Sequence, residues 1–95
     1  MVDRMQAIEQ QVQIINKLGL HARAATKFAG IANKYVCSVK VDFQGKVIDG
    51  KSIMALMLLA AAKGSEITLI TEGEDAQQAL DSIATLINNK FDEEA

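Results

Sequence analysis

The sequence predicts an α+β fold. The expected form is an open-faced two-layer sandwich, β-α-β-β-α-β-α, whose four-stranded antiparallel sheet is covered on one face by three helices. Three observations carry this prediction. Short segments alternate apolar and polar residues, as Cys37, Val39, Val41 and Phe43 do against Ser38, Lys40 and Asp42, which is the period of a strand that buries one face. Between them lie longer segments with apolar residues three or four positions apart, the spacing of an amphipathic helix. Because the strands alternate instead of being apolar throughout, one sheet face is left to solvent and the helices share the other.

Met1 to Gln10 is mixed and polar, which predicts a frayed or weakly helical extension, and Met5 could open the chain as well as Met1. Gln11 to Ile15 reads as the first strand, with Val12 and Ile14 on one face. Asn16 to Leu20 breaks it, Gly19 being the residue best suited to positive φ. His21 to Lys34 follows as a helix that buries Ala25, Phe28, Ala29 and Ala32. Val36 to Phe43 is the second strand, with Cys37 in the core. Gln44-Gly45 turns the chain into a short return strand, Lys46 to Ile48. Ser52 suits the N-cap of a helix running to about Ala62, where Lys63-Gly64 marks its end. Glu66 to Thr71 is the last strand, with Ile67 and Leu69 inward. Asp75, with Gln78 three residues on, resembles a capping pair. It opens a helix in which Ala76, Ala79, Leu80, Ile83, Ile87 and Phe91 recur at helical spacing. Asp92-Glu93-Glu94 is expected to be a solvated acidic end.

Composition narrows the function. At 95 residues, 49% of them hydrophobic, the chain fits one domain over 1–95. It holds one histidine and one cysteine, against the four ligands or so of a structural zinc site, so no metal is expected, and no other cofactor. A lone cysteine closes no disulfide within the chain, and the opening residues show no signal-peptide pattern, which together predict a reducing, cytoplasmic setting. A net charge of −2 argues against a nucleic-acid partner, which demands clustered Lys and Arg. No apolar run approaches the roughly 20 residues that span a bilayer, so no membrane partner is expected either.

The single imidazole, His21, stands directly after Gly19-Leu20 at the opening of a helix, where unpaired N–H groups and the helix dipole favour an anion. Two residues on, Arg23 carries a planar fork that can grip phosphate oxygens. A neutral imidazole nitrogen is a competent nucleophile toward a phosphoryl group. These ingredients suit a histidine that accepts phosphate; a capping or surface histidine is the plain alternative. A hydrolase is a weaker reading, since no Ser/His/Asp or Cys/His constellation is legible. A pure interaction module would use the same surface without accepting phosphate.

The run Asn16-Lys17-Leu18-Gly19-Leu20-His21-Ala22-Arg23-Ala24-Ala25 resembles the signature N-x-x-G-L-H-A-R-P-A of the HPr family of histidine phosphocarriers. Gly50-Lys51-Ser52-Ile53-Met54-Ala55-Leu56-Met57 resembles that family's regulatory-site helix. Lys63 to Ile67 and Glu72 to Ala76 resemble the turn into its last strand and the start of its final helix. The resemblance covers nearly everything after Gln10. Asn16 to Gly19 and Phe91 to Glu94 look most like the nitrogen-branch members, called NPr, whereas Lys51 to Met54 looks like the HPr of sugar uptake. Ala24 stands where the family has proline.

The resemblance implies an HPr-like fold and a carrier in the phosphoenolpyruvate-dependent phosphotransferase system. In that relay His21 takes a phosphoryl group on Nδ1 from an enzyme I type donor and passes it to an enzyme IIA type acceptor. Such a carrier is not a stand-alone catalyst. Arg23 would hold the phosphate, within a loop and helix start formed by Asn16, Gly19, Leu20, Ala22 and Ala24. Ser52 matches a serine that a dedicated kinase phosphorylates in some members, although an N-cap role is sufficient for it. Ile53, Met54 and Met57 are expected outward as a docking patch, with Lys27 and Lys51 beside it and Leu56 and Leu59 buried. Methionine suits a surface that must fit several partners. The working unit is expected to be a monomer.

Overall fold

The computed structural model describes residues 7–95. Its elements are β1 (Ile8–Gln13), α1 (Ala22–Ala32), β2 (Ser38–Phe43), β3 (Lys46–Asp49), α2 (Ile53–Leu59), β4 (Glu66–Glu72), α3 (Ala76–Asn88) and a final tight turn at Lys90–Asp92. The predicted α+β sandwich is the fold observed. All strand pairs are antiparallel and the sheet order is β1-β4-β2-β3.

Register explains the two faces. Opposite residues in antiparallel pairs share a face, so the rung Gln10, Leu69, Val41 and Ile48 and the pair Val12 and Ile67 face the helices. Alternate rungs run Glu9, Ile70, Lys40, Asp49 and Gln11, Thr68, Asp42, Val47 on the uncovered face. That face also holds Gln13 opposite Glu66 and Ser38 opposite Glu72. Its acidic residues outnumber the cation Lys40. On the covered face α3 packs against β1 and β4, and α2 against β3 and α1. Phe28, Ile14, Leu56, Ile67, Leu69, Ile83, Ile87 and Phe91 form the large buried side chains. Thr71, buried among them, donates its hydroxyl to the Ala76 carbonyl at 2.9 Å.

Several boundaries differ from the expected ones, each for a physical reason. β1 begins at Ile8 because residues 8–10 pair with Leu69–Thr71 of β4, a partner that the polar sequence alone does not reveal. The rest of the predicted frayed start, 1–6, lies outside the described residues. The second strand starts at Ser38, not Val36, because the N–H groups of Val36 and Cys37 are taken by the Asp75 carboxylate, both at 2.9 Å. Asp75 therefore makes no side-chain cap on α3, and the predicted capping pair with Gln78 is not formed. Cys37 is in the core as expected, 3% exposed, and burial, reinforced by Asp75, pushes its thiol up. Helix α2 stops at Leu59, well before Ala62. Ala60 turns left-handed with φ 55°, and the carbonyl of buried Ala61 serves Leu20 N–H at 2.9 Å instead of an intrahelical bond.

The Asp75 contact has a pH consequence. The hydrogen bond from Val36 N–H outweighs the opposing effect of burial and, with that from Cys37, holds the Asp75 carboxyl below its ordinary 3.8. A carboxyl lowered in the folded state stabilises above its unfolded value, and that contribution disappears as pH falls through the lowered value. Asp75→Asn should thus lower the urea midpoint at pH 7 and show a shallower further fall than wild type once the pH drops below 3.8. Parallel curves across the acid range would refute this account.

Candidate functional site

The site is assembled from three pieces of chain. The first is the loop Asn16–Leu20. Gly19 has φ +65°, and a Cβ there would stand 2.5 Å from the Ala61 carbonyl oxygen and 2.9 Å from Ala62 Cα. Only glycine allows this loop to lie directly on the backbone after α2. Gly19→Ala combines a left-handed alanine with a backbone clash, and a loss of about 1–3 kcal/mol in folding free energy is expected from denaturant titration. A change within a few tenths would mean that the loop simply moves aside. Asn16, fully buried, donates from Nδ2 to the Gly19 carbonyl at 2.8 Å.

The second piece is the start of α1. His21 is its N-cap residue, with extended backbone (ψ 179°), and its Nδ1 accepts from Arg23 N–H at 3.3 Å. The helical ladder begins with Ala25 N–H donating to the His21 carbonyl at 2.8 Å. No acidic residue occupies the first turn, so the positive end of the helix carries no built-in anion. Ala24 is buried, whereas Ala22 and Arg23 are exposed.

The third piece is the C-terminal tail, which the sequence reading misplaced. α3 ends at Asn88 instead of continuing to Phe91. Lys90, Phe91 and Asp92 all take positive φ (57°, 56° and 63°), a left-handed turn that costs on the order of 1–2 kcal/mol per residue. Phe91, completely buried, anchors the turn, and Lys27 Nζ donates to its carbonyl at 2.8 Å. The reversal aims Glu93 back at the start of α1. Glu93 is not a solvated residue: its Oε2 is 2.5 Å from His21 Nε2 and its Oε1 accepts from Asn16 Nδ2 at 3.0 Å. Lys17 N–H donates to the Ala95 carbonyl at 3.0 Å and holds the tail beyond it. Burial pushes the Glu93 carboxyl up. The hydrogen bonds from His21 and Asn16, with the charges of His21 and Arg23, outweigh it and hold the group below its ordinary value.

Together the pieces form an open cleft of about 560 Å³ lined by Lys17, Leu18, His21, Arg23 and Glu93, among others. A shallower depression joins His21 to Met57 through Leu18, Leu20 and the alanines that follow α2. Beside it α2 presents Ile53, Met54 and Met57, 42%, 68% and 41% exposed, while Leu56 and Leu59 are buried. Leu18 and Leu58, which the sequence reading passed over, are also exposed. Ser52 Oγ caps α2 by accepting from Ala55 N–H at 3.1 Å. Lys51 Nζ is committed to the Tyr35 carbonyl at 2.8 Å, and Lys27 to the tail. No group of three or more His, Cys, Asp and Glu among the described residues has the geometry to hold a metal ion. No helix among them is long and apolar enough to cross a membrane.

The family described as "PTS HPr component phosphorylation site" matches residues 8–89. The chain belongs to the HPr family. Phosphocarrier protein HPr of Pseudomonas aeruginosa is 56% identical over 84 residues, 87% of this chain and 93% of that protein. Phosphocarrier protein NPr of Shewanella violacea is 44% identical over 89 residues, 94% of this chain and 98% of its own length. Among solved structures, HPr of Thermoanaerobacter tengcongensis superposes with a TM-score of 0.89 at 38% identity, covering 93% of this chain and 99% of that one. Membership in the HPr family rests on matches along most of the chain, so it does not depend on the His21 motif alone.

Proposed function

We propose that this HPr-family chain carries a phosphoryl group on His21 Nδ1, taking it from an enzyme I type donor charged by phosphoenolpyruvate and handing it to an enzyme IIA type acceptor. One observation supports this reading above the others. The ring has its Nε2 engaged by a carboxylate, while its Nδ1 meets only a long contact from Arg23 N–H at the open end of a helix. In the step itself, the Nδ1 lone pair forms a bond to phosphorus as the donor's bond to phosphorus breaks, its electron pair leaving with the donor. The N–H groups of the first turn and the exposed Arg23 then take the phosphate oxygens. Water exclusion comes from the partner's surface, since the cleft is open. The exposed apolar patch from Leu18 to Leu58 is where such a partner would sit. One chain builds the whole cleft, so the working unit in this reading is a monomer, acting in the cytoplasm.

Within the relay we take a nitrogen-type enzyme IIA as the acceptor, on the resemblance of Asn16 to Gly19 and Phe91 to Glu94 to the nitrogen-branch members. The sugar branch is the second reading, favoured by the higher identity to a protein named HPr than to one named NPr. Incubation with phosphoenolpyruvate and enzyme I should yield acid-labile, alkali-stable phosphate on the protein. The labelled carrier, offered both acceptors together, should discharge faster to the nitrogen-type one. Preferential discharge to the sugar-type acceptor would reverse the branch, and a chain that stays unlabelled would leave only an interaction module.

A further inference from the structure

We propose that Glu93, held in place by Asn16, is a positioning residue that fixes the imidazole of His21 in the tautomer able to accept phosphate. The inference rests on the carrier reading and deepens it. An ionised carboxylate only accepts hydrogen bonds, so the 2.5 Å contact between Glu93 Oε2 and His21 Nε2 places the ring proton on Nε2. At the other side of the ring, Arg23 N–H donates to Nδ1 at 3.3 Å, which is possible only if Nδ1 bears a lone pair. Two contacts from different parts of the chain thus select one tautomer, and it is the one whose nucleophile faces the open end of α1.

Glu93 is in turn oriented by Asn16. The buried amide of Asn16 donates to Glu93 Oε1 at 3.0 Å and to the Gly19 carbonyl at 2.8 Å. The same side chain therefore ties the carboxylate to the loop that precedes the histidine. The left-handed turn at Lys90–Asp92, anchored by buried Phe91, delivers Glu93 to this place. A tail with no task at the site would not need three residues in that conformation.

Electron balance gives the carboxylate a second role. When Nδ1 bonds to phosphorus the ring becomes an imidazolium that keeps its Nε2 proton, and no proton has to move. The carboxylate faces that new positive charge. When the Nδ1–phosphorus bond breaks again, its pair returns to Nδ1 and the neutral tautomer is restored. Orientation of an imidazole by a carboxylate on its far nitrogen is the arrangement that prepares catalytic histidines for work through the near one.

Glu93→Gln is the sharp test. Asn16 Nδ2 and His21 Nε2 both donate to Glu93, but a glutamine has one acceptor oxygen and one NH2 group. If the oxygen turns to Asn16, the NH2 donates to Nε2 and drives the proton onto Nδ1, which removes the nucleophile. The ring is the only imidazole in the chain, so its ¹⁵N shifts report the tautomer without assignment. In wild type the neutral ring should be in the Nε2–H form. Glu93→Gln should move toward Nδ1–H and accept phosphate from phosphorylated enzyme I about tenfold more slowly, the scale expected for loss of a charged hydrogen bond. Glu93→Ala should give a mixture and an intermediate rate, and the exposed neighbour Glu94→Gln should match wild type in both. Variants at Glu93 that keep the wild-type tautomer and rate overturn the proposal, even if they lower stability. A wild type that takes no phosphate would instead sink the carrier reading beneath it.

Discussion

His21→Ala should accept no phosphate from phosphorylated enzyme I while still folding. The loss should be complete because the chain has no second imidazole, and its one thiol is buried in the core with its proton held tightly. Folding should survive because the side chain contributes only an N-cap contact at 3.3 Å and the bond to Glu93. Removing such a cap costs about 1 kcal/mol. Arg23→Ala, which removes an exposed guanidinium from the cleft wall, should slow the same labelling by about tenfold without abolishing it, the scale of one charge-assisted contact to phosphate. Radiolabel transferred from phosphoenolpyruvate, followed over time beside a melting curve for each variant, separates chemistry from unfolding. Label appearing on the alanine variant at 21 would end the assignment.

Phe91→Ala should be the most destabilising single change in the C-terminal segment. The ring is 0% exposed, and truncating a buried phenylalanine costs roughly 3–5 kcal/mol, a large share of the about 5–15 kcal/mol that holds a domain of this kind folded. The left-handed turn has no other apolar anchor, so the variant should also release Glu93 from His21. A urea midpoint lowered far beyond that of Phe91→Leu, which keeps most of the volume, would confirm the anchor. Equal midpoints for the two would show that the cavity closes and that the tail is held from elsewhere.

The segments where local pattern and tertiary packing agree were legible in the sequence. The alternation in Ser38–Phe43 and Glu66–Glu72 gave two central strands, and α1 buried the alanines and Phe28 that its spacing marked. Ile53, Met54 and Met57 came out exposed, as the family resemblance implied, and Leu56 and Leu59 buried, as a stripe facing the sheet requires. The failures share a cause: contacts between residues remote in sequence. Asp75 reads as a cap locally and instead serves Val36 and Cys37, 39 and 38 positions away. Phe91 continues the helical period of α3, and nothing nearby shows that the chain reverses first. Glu93 looks like one acid in a solvated run, and its partner is 72 positions distant. A large aromatic placed past two asparagines and a lysine was the available hint, since such a side chain must be buried against something.

The uncovered sheet face gives the molecule an electrical orientation that its net charge of −2 conceals. Glu9, Asp42, Asp49, Glu66 and Glu72 lie there around Lys40, while the cleft is lined by Lys17 and Arg23 together with Glu93. An approaching protein therefore feels a torque before it feels a contact. A surface rich in carboxylates is repelled by the sheet face, and this selection acts over about a Debye length, some 8–10 Å at ordinary ionic strength. The side of the sheet that packs against nothing thus narrows the angles from which the cleft is reached.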